Sequence, residues 1–112
     1  MTIIEVMRRT EKFVIVYAPI VKEHLRHIDR KYYSLIRRTI EQQLTYEPDV
    51  ETKNRKPLKR LALGATWEIR FGRGNRFRVF YRVERERKEV EILAIGEKKG
   101  HRLVIGGEEI EL

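Results

Sequence analysis

The feature that most constrains this chain is an alternation of apolar and charged residues between Trp67 and Ile95. Trp67, Ile69 and Phe71 share one parity, and Glu68 and Arg70 share the other. Gly72-Arg73-Gly74-Asn75 interrupts the pattern, which resumes with Phe77, Val79, Tyr81 and Val83 against Arg76, Arg78 and Arg82. A second break at Arg85-Glu86-Arg87-Lys88 precedes Val90, Ile92 and Ala94. Successive side chains of a strand point to opposite faces, so the pattern predicts a three-stranded antiparallel meander. One face is apolar and the other carries arginines.

The preceding residues supply a cover for the apolar face. Phe13 to Tyr17 is a β-branched and aromatic run of strand length, predicted to be buried. Pro19 suits the first turn of a helix, and Val21, Leu25 and Ile28 follow at helical spacing. Asp29 can cap a second helix, whose stripe is Tyr32, Leu35, Ile36, Ile40 and Leu44 and which Pro48 stops. Two helices so close in sequence predict an antiparallel hairpin. The expected fold is α+β: a twisted antiparallel sheet packed on an N-terminal helical hairpin, one domain over residues 1–112. Residues 1–12 read as an extension pairing with the sheet edge, 47–60 as a polar loop, and the centre of the tail from Gly96 to Leu112 as a short final strand. Residues 106–112 read as an acidic tail.

Composition narrows the function. The 112 residues include 25 Lys and Arg against 17 Asp and Glu, a formal net charge of +8, which favours a polyanionic partner or an acidic protein that masks the charge. The absence of cysteine removes disulfides, thiolate metal sites and a cysteine nucleophile. No apolar run approaches the ~20 residues of a membrane span, and the N-terminus shows no signal-peptide pattern, so a cytoplasmic protein without a membrane partner is expected. His24 and His27 lack a third ligand and read as a solvated helix face, so no metal is expected. Ser34, the single serine, lies within a predicted helix and supports no hydrolase triad. Gly72-Arg73-Gly74 joins two strands and is therefore a hairpin loop, not a dinucleotide fingerprint.

The arginine face has two readings. Arg70 and Arg78 fall on neighbouring strands and one face, where Glu68 and Glu91 offer simple ion pairs. A basic cluster of Lys53, Arg55, Lys56, Lys59 and Arg60 leads into the sheet, and Lys98, Lys99 and Arg102 follow it. If these segments fold over the face, cations converge on a site suited to phosphate.

The order of motifs resembles the RelE/ParE superfamily of bacterial type II toxins. The resemblance rests on Pro57-Leu58-Lys59-Arg60-Leu61, Trp67-Glu68-Ile69-Arg70, Phe77-Arg78-Val79-Phe80-Tyr81 and Leu93-Ala94-Ile95-Gly96 followed by lysines. It implies a toxin neutralised by a cognate antitoxin, with operator DNA bound only through their complex. The RelE branch implies a ribosome-dependent mRNA endoribonuclease that uses no metal or other cofactor. The ParE branch implies a DNA gyrase poison, and a catalytically degenerate antitoxin-binding module is a further alternative. By motif, Arg70, Arg78 and Lys98 or Lys99 match the family's basic positions. Glu68 stands where RelE has a lysine, and no tyrosine follows Tyr81, so His101 is the titratable group available near the C-terminus. The implied assignment places Arg70 and Arg78 on the scissile phosphate, Glu68 as base, and His101 or Lys98 at the leaving group. Lys53, Arg55, Lys56, Lys59, Arg60, Lys99 and Arg102 are expected to contact RNA.

Overall fold

The structure is a computed structural model describing residues 11–111; the pairing expected for the start of the N-terminal extension lies outside the described residues. Strand β1 (Val14–Tyr17) leads into α1 (Val21–Arg26), a 3-10 turn (Arg30–Tyr32) and α2 (Tyr33–Leu44). Strands β2 (Arg55–Ala62), β3 (Ala65–Phe71), β4 (Phe77–Glu84), β5 (Glu89–Lys99), β6 (Arg102–Ile105) and β7 (Glu108–Ile110) follow. The hydrogen-bonded order is β2-β3-β4-β5-β6-β7, with β1 parallel to the first half of β5.

The meander read from the alternation is β3-β4-β5, antiparallel throughout. Its first loop turns through Gly72, Gly74 and Asn75, all at positive φ. The two helices also form where expected. Asp29 accepts from the Lys31 amide and so caps the 3-10 turn that runs into α2. Tyr33 donates from its hydroxyl to the Leu25 carbonyl at 2.5 Å, tying α2 back to α1. The main core lies between these helices and one sheet face: Val21, Ile28, Ile36, Ile40 and Leu44 meet Ile69, Phe71, Phe77, Val79, Tyr81, Val90, Ile92 and Ile95.

Three expectations are corrected. The polar loop of residues 47–60 becomes strand β2 from Arg55 onward. Pro57 is accommodated because β2 is an edge strand, where a missing N–H leaves no ladder bond unmade, and the register slips between Pro57 and Ala62. Strand β1 is not a buried strand: Val14 is 61% exposed and Val16 and Tyr17 are also exposed, because β1 flanks only half of β5. Within the expected acidic tail, Glu108–Ile110 pair with β6 as β7.

The sheet is curled. A flat path of six strands would set β2 and β7 roughly 24 Å apart. Instead Leu58 of β2 and Ile110 of β7 pack on the same cluster, made of Ala65, Phe80, Ala94, Leu103 and Ile105. That cluster fills one end of the inner face, the face that carries Arg70 and Arg78. The face read as an arginine face is therefore a second small core as well, with Phe80 wholly buried between Arg78 and Arg82 in sequence. Gly96, opposite Arg78, lets β6 close in: a Cβ there would lie 2.8 Å from Ile105 and 2.9 Å from Leu103.

A candidate anion-binding cleft on the inner face

Strand register places Arg70 directly opposite Arg78, and Arg78 opposite the bare backbone of Gly96. Two guanidinium groups face each other across one ladder. Lys98 follows two residues after Gly96 and shares its face. Arg78, Lys98, His101, Arg102 and Leu103, with Glu109, Ile110 and Glu111, line a cleft of about 430 Å³. Both lysines are exposed, but Lys99 has the opposite parity, so the register distinguishes the two lysines that the sequence left equivalent.

Arg70 and Arg78 differ in their partners. Arg70 donates from Nε and Nη2 to Glu68 Oε1, at 3.0 and 2.8 Å. Glu68 is 6% exposed, whereas the Arg70 side chain stays 43% exposed, so the carboxylate is drawn out of water and the guanidinium is not. Arg78 Nε is buried and makes no hydrogen bond among the described residues. Burial holds the Arg78 guanidinium below its ordinary pKa, and Arg70 lowers it further while Glu68 opposes the shift. A buried donor without an acceptor is unfavourable unless a ligand supplies one. An anion between Arg70 and Arg78 would satisfy it.

The basic cluster separates into two kinds of residue. Arg55 is 5% exposed and donates from Nε to the Val50 carbonyl at 2.6 Å and from Nη1 to the Gln43 carbonyl. It fastens the end of α2 and the following loop to the sheet, which corrects its expected place among the RNA contacts: its donors are occupied in the interior. Lys53, Lys56, Lys59 and Arg60 are exposed. Lys56 lies 3.8 Å from Glu51, and Arg102 lies 3.6 Å from Glu109. His101 sits at the tip of the β5–β6 turn, exposed.

Two further arrangements escaped the sequence. Arg76 donates to Glu97 Oε2 from Nε at 2.6 Å and to the Tyr32 hydroxyl from Nη1 at 2.9 Å, pinning the 3-10 turn to the start of β4 and to β5. Between β1 and α2 runs a mainly apolar groove of about 1310 Å³, bordered by Val14, Ile15, Tyr17, Ile36, Ile40 and Tyr46. A non-alternating run such as residues 13–17 signals burial, and the groove is where that burial is incomplete.

No family model matches the chain, and no curated protein is significantly similar to it. Among solved structures, it resembles a chain of the toxin–antitoxin complex RelBE2 from Mycobacterium tuberculosis. The TM-score is 0.65 at 21% identity, over 80% of this chain and 94% of that one. At this identity the likeness defines the class of fold: a curled sheet backed by helices, as in that complex. Among the described residues, no helix is long and apolar enough to cross a membrane, and none of the His, Asp and Glu groupings could hold a metal ion.

Proposed function

We propose that the chain is the toxin of a type II toxin–antitoxin system and that it cleaves mRNA on the ribosome. The observation that carries the reading is the buried, unpartnered Arg78 Nε opposite Arg70 in a cationic cleft. The fold shared with a chain of a toxin–antitoxin complex supports it, and so does the net charge of +8. The apolar groove along β1 and α2 supports a protein partner, the antitoxin, whose complex would also contact operator DNA.

In this reading Arg78, Arg70 and Lys98 hold the scissile phosphate and stabilise the charge that builds on its oxygens. The 2′-oxygen attacks phosphorus, the 5′-oxygen leaves, and a cyclic phosphate remains. Glu68 takes the proton of the 2′-hydroxyl at Oε2, since both contacts from Arg70 fall on Oε1. Lys98 or His101 donates to the leaving oxygen. Lys59, Arg60, Lys53, Lys56, Lys99 and Arg102 track the RNA backbone from outside the cleft.

The test is addition of purified protein to a translating extract, with cleavage mapped by primer extension. Ribosome-dependent cuts that vanish in Arg78→Ala are expected. Intact mRNA, with linear DNA accumulating beside gyrase, would replace this reading with gyrase poisoning. Intact mRNA and intact DNA would leave only antitoxin binding.

A further inference from the structure

Strand β5 is flanked on one edge by two different strands. The β1 ladder ends where the Ala18 amide donates to the Ile92 carbonyl, and the β6 ladder begins at Gly96. The Ile95 amide falls in the gap between them. Its acceptor is a side chain: His24 Nδ1 of α1, at 3.3 Å. That bond requires a neutral imidazole with its proton on Nε2.

The same helix face receives the β6–β7 turn. Gly106 and Gly107, both at positive φ, bring their backbone against the two histidines. A Cβ at Gly106 would lie 3.2 Å from His24 Cδ2, and one at Gly107 would lie 2.7 Å from His27 Nδ1. The turn leads directly into Glu109 and Ile110, which with Arg102 and Leu103 form a wall of the cationic cleft.

We infer that His24 and His27 form a proton-operated latch: neutral His24 seats the β6–β7 hairpin against α1, and its protonation releases the hairpin. Protonated Nδ1 would present a donor to the Ile95 donor, in a residue 1% exposed. It would also set a positive charge beside His27, one helical turn away. Among the described residues, the nearby carboxylates are engaged elsewhere or exposed. On α1, Glu23 is held by Arg26 at 2.8 Å. On β5, Glu97 is taken up by Arg76. On the hairpin, Glu108 is exposed past the turn. Burial holds His24 below the usual histidine pKa, followed by the effect of His27.

The latch acts on the hairpin that walls the cleft, and it is tested without any assay of RNA cleavage. Amide exchange by NMR, expressed as protection relative to the free peptide, would be compared at pH 7.5 and pH 5. Protection at Ile95, Val104 and Ile105 should drop about tenfold at the lower pH, the ratio produced by one lost hydrogen bond. His24→Asn places an oxygen acceptor near the position of Nδ1 and does not titrate, so it should stay protected at both values. Equal protection of the wild-type protein at both pH values would overturn the latch. A drop in His24→Asn as large as in the wild type would overturn it as well.

Discussion

Arg78 faces Arg70 across the β3–β4 ladder, yet only Arg70 has a carboxylate, Glu68, in contact. Two cations held together with one acid between them leave an excess positive charge on the concave face. The arrangement is unfavourable for the fold by itself and favourable for an anion. Stability and function should therefore separate at Arg78. Arg78→Met removes a buried unsatisfied donor and a like-charge contact, so its melting temperature should equal or exceed that of the wild type. The proposed RNA cleavage should fall by about a hundredfold or more. Calorimetry and primer extension on the same preparation check both halves.

Glu68 gives a second separation. Glu68→Gln keeps the shape but removes the charge that holds Arg70, which should cost on the order of 1 kcal/mol in chemical denaturation. If Glu68 is the proton acceptor, cleavage falls by roughly a hundredfold at saturating ribosomes. If cleavage falls no more than a few-fold, Glu68 only positions Arg70.

The basic cluster before the meander should divide cleanly. Arg55→Ala leaves two main-chain carbonyls without their buried donor and should destabilise the protein by about 2–3 kcal/mol. Lys59→Ala and Arg60→Ala should leave the melting temperature unchanged and weaken RNA binding. Each should reduce the slope of log K against log salt by about one. A melting temperature of Arg55→Ala equal to wild type would count against its structural role.

What the sequence made legible follows from where short-range periodicity decides structure. The meander and the helical stripe were readable because period 2 and period 3.6 are local. Strand β2 was hidden because Pro57 and its many charges look like a loop, and only the curl of the sheet brings Leu58 onto Phe80 and Ile105. Phe80 itself sits on the charged parity, so alternation assigned it to no core. Arg55 and Lys59 look alike in sequence; burial alone separates a structural guanidinium from an exposed cation. The bond from Ile95 to His24 joins residues 71 apart, and no local pattern announces it.

Global stability should fall on mild acidification. Burial lowers the folded pKa of His24 below its value of about 6.5 in the unfolded chain. The unfolded state then takes up a proton first, so the stabilisation is complete above pH 6.5 and is lost as pH falls through the folded value. Urea midpoints at pH 7.5 and 5 should differ more for the wild type than for His24→Asn. The difference between the two proteins isolates this group from the carboxylates, which titrate in both.

Tyr81 should prove structural despite its place in the meander. Its hydroxyl donates to the Pro48 carbonyl at 2.6 Å, and burial raises its pKa far above the ordinary tyrosine value. It therefore stays protonated near neutral pH. Tyr81→Phe should lose about 1–2 kcal/mol of stability and keep its cleavage pattern.

The groove along β1 supplies a test of the partner. Val14 is exposed on a strand whose neighbour α2 presents Ile36 and Ile40 to the same hollow. An exposed valine adds little to folding, so Val14→Asp should melt close to the wild type. A partner seated in the groove buries it, and the aspartate would then be desolvated. The loss of apolar burial alone is roughly 1.5 kcal/mol per valine, or about tenfold in affinity, and the buried charge adds to it. Calorimetric titration with the product of a small adjacent open reading frame measures the effect. Affinity that survives the substitution would place the partner elsewhere on the protein.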